Sequence, residues 1–146
     1  MKAKLIINPI SGKNKRKMPP ILKWTFKKLR KRVEGMYSSK ITAKEIVKQV
    51  KRVCDREKIK LDIEFTKKAN DAMKMARGAK DTYDFIIVAG GDGTVNEVIN
   101  GMVGGKATLV VIPFGSTNVL ALELGIPSNI RKATELITNG KKIEID

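Results

Sequence analysis

The segment Phe85-Ile86-Ile87-Val88-Ala89-Gly90-Gly91-Asp92-Gly93-Thr94 constrains this chain more than any other. An unbroken apolar run without polar alternation describes a strand covered on both faces, the habit of parallel sheets. The glycines that follow let the backbone turn sharply and approach a ligand closely. A helix through Met102 comes next, and its N-terminus offers free N–H groups and the positive end of a dipole, a ready place for phosphate. Asp92 puts a carboxylate inside that turn. Magnesium ligation or hydroxyl activation is the chemistry that explains an acid beside phosphates. Thr94-x-x-Glu97 also reads as a capping box. Capping accounts for Thr94 and Glu97 but not for three glycines around an acid.

The same strand–turn–helix grammar recurs along the chain. Lys4-Leu5-Ile6-Ile7 reads as a short buried strand ended by Asn8-Pro9 and Ser11-Gly12. Leu22, Phe26, Leu29 and Val33 share one face of a helix over residues 21–33. Thr42-x-x-Glu45 is a capping box ahead of Ile46, Val47, Val50, Val53 and Cys54. Leu61, Ile63 and Phe65 alternate with charged residues, predicting a half-buried strand, and Asn70 to Ala79 predicts a helix. Leu109-Val110-Val111-Ile112 is a second buried strand, followed by helices over about 117–124 and 128–138. Ile143 and Ile145 read as the start of a further strand. Alternation of this kind implies an α/β fold with a parallel, helix-covered sheet and right-handed crossovers. Ligands of such sheets sit at the carboxyl ends of the strands.

Composition narrows the chemistry. The 146 residues contain no histidine and a single cysteine, Cys54. Ser-His and Cys-His catalytic pairs, the usual zinc sites and an internal disulfide are therefore excluded. No apolar run reaches the roughly 18–20 residues of a membrane span, and the N-terminus lacks a signal-peptide core, so the sequence reads as cytoplasmic. Net charge is +15, and residues 1–33 hold 12 Lys and Arg with no acid. A segment so charged suits a polyanion: nucleotide phosphates, nucleic acid or an anionic membrane.

Two further phrases sit at strand ends. Asn8-Pro9-Ile10-Ser11-Gly12-Lys13 exposes N–H donors and a lysine, without Walker A spacing. Pro113-Phe114-Gly115-Ser116-Thr117-Asn118 offers a glycine and hydroxyls, and Ser116 or Thr117 equally reads as a helix N-cap. Together with Gly90-Gly91-Asp92-Gly93-Thr94-Val95-Asn96-Glu97-Val98-Ile99-Asn100-Gly101, and with Thr66 ahead of Asp71-Ala72, these phrases resemble the catalytic domain of diacylglycerol kinases, sphingosine kinases and bacterial lipid kinases. The resemblance runs from Lys4 to Asp146. It implies an N-terminal domain like those of NAD kinases and diacylglycerol kinases, with the β-rich second domain absent, so that residues 1–146 form the nucleotide-binding domain of a truncated chain. It implies ATP and Mg²⁺ as cofactors and transfer of the γ-phosphate to a lipid hydroxyl, with diacylglycerol the first choice. It implies ATP contacts at Asn8, Pro9, Ile10, Ser11, Gly12, Thr66, Gly91, Asp92, Gly93, Thr94, Val95, Asn96, Glu97 and Ser116. Asp92 is the candidate catalytic and metal-linked residue. The family usually has Thr in place of Ser116, which keeps a hydroxyl, and often Asp in place of Val119, which loses a carboxylate.

On the helix of residues 21–33, Trp24 falls among the cations Lys27, Lys28, Arg30 and Lys31. A basic amphipathic helix with an interfacial Trp suits an anionic membrane surface and a peripheral place at the inner membrane face. The alternative is a surface helix whose stripe packs inward and whose charges are solvated. No nucleic-acid motif is present. A homodimer is left open. Two other readings stay open: a soluble NAD-kinase-like enzyme, and a non-catalytic nucleotide- and membrane-binding module.

Overall fold

The computed structural model describes residues 1–11 and 41–144. The helix expected over 21–33, with Trp24, Lys27, Lys28, Arg30 and Lys31, lies outside them, as do Gly12 and Lys13. In chain order the elements are β1 (Lys2–Ile7), α1 (Ala43–Arg56), β2 (Lys60–Phe65), α2 (Asp71–Ala79), β3 (Phe85–Gly90), α3 (Asp92–Met102), β4 (Thr108–Pro113), α4 (Val119–Glu123) and α5 (Ile130–Asn139).

The four strands form one parallel sheet in the order β2-β1-β3-β4. Strand order reverses between β1 and β3: β1 leads outward to β2, and β3 leads the other way to β4. That reversal is a topological switch point, the place where such sheets leave a crevice at their carboxyl ends. β3 is buried along its whole length, as its apolar run requires. β2 is an edge strand. Leu61 and Ile63 are half-buried, but Phe65 is 45% exposed, so the expected alternation fades toward the strand end.

Helices cover both faces. On one, α1 and α5 pack Ile46, Val50, Val53, Cys54, Ile130 and Ile137 against Leu5, Ile7, Ile87, Ala89 and Ile112. On the other, α2, α3 and α4 pack Ala72, Ala76, Val95, Val98 and Ala121 against Ile6, Ile86, Val88 and Val111. Adjacent strand residues thus feed two separate cores, as the period of two demands. Small residues on α2 let it lie close to α3, where Gly101 has no room for a side chain against the Met73 carbonyl.

Helix starts test the capping expectations. Thr42 caps α1 as expected, its Oγ1 accepting from the Glu45 amide at 3.2 Å. Asn129 caps α5 in the same way through Lys132. The box at Thr94-x-x-Glu97 is not a cap. α3 begins at Asp92 with Gly91 as N-cap, so Thr94 lies inside the first turn, and no side chain of the N-cap residue bonds the helix. Nor does Ser116 or Thr117 cap the helix after β4, which is shorter than expected and starts at Val119 after Asn118. Residues 141–144 form no strand, contrary to the expectation for Ile143.

Candidate functional site

Strand register places the singled-out phrases side by side. Phe65, Ile7 and Ala89 are partners across the sheet, and Gly90 pairs with Pro113. One step beyond, the Thr66 amide donates to the Ile7 carbonyl (2.8 Å), the Asn8 amide to Ala89 (3.0 Å) and the Phe114 amide to Gly90 (3.1 Å). The carboxyl edge therefore carries Thr66, Asn8, Gly90 and Pro113 in one row, with Ser11, Asp92 and Ser116 a few residues further along each turn.

Side chains lock these turns together. Asn8 Oδ1 accepts from the Ile10 amide at 3.2 Å, an Asx turn that bends the chain after β1. Its Nδ2 donates to Thr94 Oγ1 at 3.0 Å. Ser11 Oγ accepts from the Gly91 amide at 3.3 Å. Both bonds span the switch point. Asn8 and Thr94 thus spend their side chains on each other, and Thr94 is buried.

The first turn of α3 is where backbone donors collect. Among the described residues the amides of Asp92, Gly93 and Thr94 have no hydrogen-bond partner; the first α-helical bond is Val95 N–H to the Gly91 carbonyl at 3.0 Å. A Cβ added at Gly93 would meet nothing within 4 Å. No crowding within the protein calls for glycine there, and its bare backbone faces open space.

Gly115 is glycine for the opposite reason. A Cβ there would overlap the Gly91 Cα and come within 2.9 Å of Asn118 Oδ1. The turns after β3 and β4 touch backbone to backbone, which brings Ser116, exposed, alongside the α3 start. Asp92 Oδ1 accepts from the Val119 amide at 2.6 Å, and its Oδ2 has no partner among the described residues. Among the described residues Asp92 is the one acid that bridges these two turns.

Two residues quoted within the motifs were given no role in the site by the sequence reading. Asn118, 3% exposed, bonds both the amide and the carbonyl of Gly115 at 2.9 Å. The signal was present, since Asn is the side chain that best tolerates the left-handed backbone it adopts here (φ 53°, ψ 52°). Asp71 Oδ2 accepts from the Lys67 and Lys68 amides at 2.9 and 3.0 Å, fixing the turn behind Thr66. The Lys67 amide foremost holds its carboxyl below the usual range; partial desolvation opposes this, and the Lys68 amide adds to the lowering. Pro9 and Ile10 lie on the turn after β1, and Asn96 and Glu97 in α3; all four are half-buried or exposed and among the described residues make no side-chain bond to another turn. Val95 is buried in the core behind α3, so any contact it makes is through its backbone.

A doubly wound sheet with glycine turns and free helix-start amides at its switch point defines the class: an α/β domain of the phosphate-binding type. The chain belongs to the Diacylglycerol kinase catalytic domain family, which matches residues 36–146. It is 48% identical over 82 residues to the diacylglycerol kinase of Bacillus subtilis (strain 168), covering 53% of this chain and 27% of that protein. It is 39% identical over 84 residues to the diacylglycerol kinase of Staphylococcus carnosus (strain TM300), covering 56% and 28%. A crystal structure of a diacylglycerol kinase from Bacillus anthracis str. Sterne superimposes with a TM-score of 0.65 at 30% identity, over 96% of this chain and 40% of that one. The chain therefore spans less than a third of the length of these two curated relatives. No helix among the described residues is long and apolar enough to cross a membrane.

Proposed function

We propose that residues 1–146 are the nucleotide-binding domain of an ATP-dependent lipid kinase that transfers the γ-phosphate to a lipid hydroxyl, with diacylglycerol the favoured acceptor. The observation that carries this is the meeting of the turns after β1, β3 and β4 at the switch point. There the unspent amides of Asp92, Gly93 and Thr94 open a helix beside a carboxylate, in a chain of this family. Amides aimed at phosphate oxygens supply positioning and charge stabilisation, which do most of the work in phosphoryl transfer. Asn8, Pro9, Ile10 and Ser11 would form one wall of the nucleotide site, with Thr66, Glu97 and Ser116 around it.

Mg²⁺ fits this donor set. Mg²⁺ is commonly held by one or two carboxylates plus substrate phosphates and waters. Asp92 Oδ2 supplies one such oxygen, and no cluster of three metal-ligating side chains occurs among the described residues. Bound there, the ion would neutralise phosphate charge. Asp92 would hold it, the α3 amides would orient the phosphates, and the Asn8–Thr94 bond would keep both walls of the crevice in register.

Membrane contact is part of this reading. α1 and α5, on one face of the sheet, carry seven Lys and Arg against three acids, whereas α2 and α3 on the other carry two against three. The cationic face suits an anionic bilayer. Such contact would place the domain peripherally at the inner membrane face.

The test is transfer of labelled phosphate from ATP, with Mg²⁺, to diacylglycerol in mixed micelles, beside calorimetry of ATP binding. Label in phosphatidic acid, abolished by Asp92→Ala, is the expected result. ATP binding without transfer by the full-length gene product would mark a nucleotide-binding module, and absence of ATP binding would end the assignment.

A further inference from the structure

We propose that Asn118 is a positioning residue that sets the orientation of the Asp92 carboxylate. Asn118 is nearly fully buried, and both polar ends of its side chain are spent on one residue: Oδ1 accepts from the Gly115 amide and Nδ2 donates to the Gly115 carbonyl, each at 2.9 Å. This paired clamp closes the 115–118 turn on itself. Asn118 stands at the N-cap position of α4, where a side chain ordinarily accepts from the helix, yet it makes no such bond because it is turned back to Gly115.

The first of the orphaned donors at the start of α4 is the Val119 amide, and Asp92 Oδ1 takes it at 2.6 Å. Asp92 thus serves as a cap supplied from another element, 27 residues away. One oxygen is pinned, and the other is directed away from the bond. Pinning needs the Val119 N–H to point at α3. That direction follows from the left-handed backbone of Asn118 and from the seating of Gly115 against Gly91. Few residues meet the requirement: glycine takes the backbone without the clamp, aspartate keeps the acceptor and loses the donor, and alanine suits neither.

Val119 also gains a meaning. Its side chain is 47% exposed and makes no core contact, and its contribution to the site is its amide. The catalytic weight given to Asp92 rests on the nucleotide reading above; the clamp itself does not.

The experiment uses the 146-residue chain and a double-mutant cycle of Asn118→Gly and Asp92→Ala, with Asn118→Asp as the conservative variant. Two quantities are read: hydrogen exchange at the Val119 amide, and the affinity for Mg·ATP by calorimetry. Asn118→Gly is expected to speed Val119 exchange and to weaken Mg·ATP binding about 10-fold, the size of one lost hydrogen bond of this kind, while core amides stay protected. Asn118→Asp is expected to recover part of both. In the Asp92→Ala background Asn118→Gly should add nothing further. Multiplying effects, or unchanged Val119 exchange in Asn118→Gly, would overturn the proposal. If Asn118→Gly unfolds, Asn118→Asp takes its place in the cycle. If the wild-type chain binds no Mg·ATP, the nucleotide reading falls, and Val119 exchange alone decides the clamp.

Discussion

Asn8 Nδ2 and Thr94 Oγ1 lie 3.0 Å apart although 86 residues separate them in the chain. The bond crosses the point where strand order reverses, so it holds the two sides of the candidate crevice at a fixed spacing. Thr94→Val keeps the shape of Thr94 and removes the acceptor, leaving the Asn8 amide group unpaired in a part-buried setting. A loss of about 1–3 kcal/mol in urea unfolding is expected, together with weaker ATP binding, whereas Thr94→Ser retains both.

Gly93 and Gly115 separate ligand space from protein space. Gly93→Ala adds a methyl where nothing lies within 4 Å, so thermal unfolding should barely move while ATP affinity falls about 10-fold or more through close approach to the phosphates. Gly115→Ala drives its methyl into the Gly91 backbone, and a stability loss of about 1–3 kcal/mol should accompany the loss of binding. Calorimetry paired with thermal melts checks both; a stability loss in Gly93→Ala would remove the basis for calling that face open.

Asp71 predicts a pH signature. Its carboxyl lies below the usual range, with the Lys67 amide as the chief cause. A group whose folded pKa is depressed contributes stability that is fully present above its unfolded value, about 3.9, and is lost as pH falls through the folded value. Wild type should therefore exceed Asp71→Asn in denaturation midpoint at neutral pH, and the gap should close below about pH 4. A gap independent of pH would contradict the assignment.

Cys54 is buried in the core against the α1 face of the sheet, and burial, helped by Asp55, pushes its thiol up to about 11. Native protein at about pH 8 should resist thiol reagents, with full reaction only on unfolding, since thiolate is the reactive form. Rapid native labelling would refute the packing described.

A cationic α1–α5 face predicts salt-sensitive binding to vesicles containing phosphatidylglycerol. Lys44→Glu with Lys48→Glu should reduce co-sedimentation several-fold without changing ATP affinity, and neutral vesicles should bind weakly throughout. Equal binding to neutral and anionic vesicles would exclude this surface.

Much of the fold was legible in the sequence because its causes are local. The apolar runs at 85–89 and 109–112 became β3 and β4, and Thr42 capped α1, since hydrophobic period and cap chemistry act within a few residues. Thr94-x-x-Glu97 misled for the same reason: the spacing fits a cap, but Thr94 sits inside the helix with its hydroxyl committed to Asn8. Ser116 and Thr117 misled likewise, because Asn118 and Asp92 decide how α4 starts.

The sequence by itself determined the parallel α/β class, the alternation of strands and helices from β2 to β4 and the glycine turns that carry the family. Only the tertiary structure decided which side chains are spent and which stay available. Asn8 and Thr94, or Asp92 and Val119, meet only once strand register and helix packing have brought together turns that stand far apart in the chain. The physical reason is that each such bond depends on the geometry of the whole sheet, which local propensity does not encode.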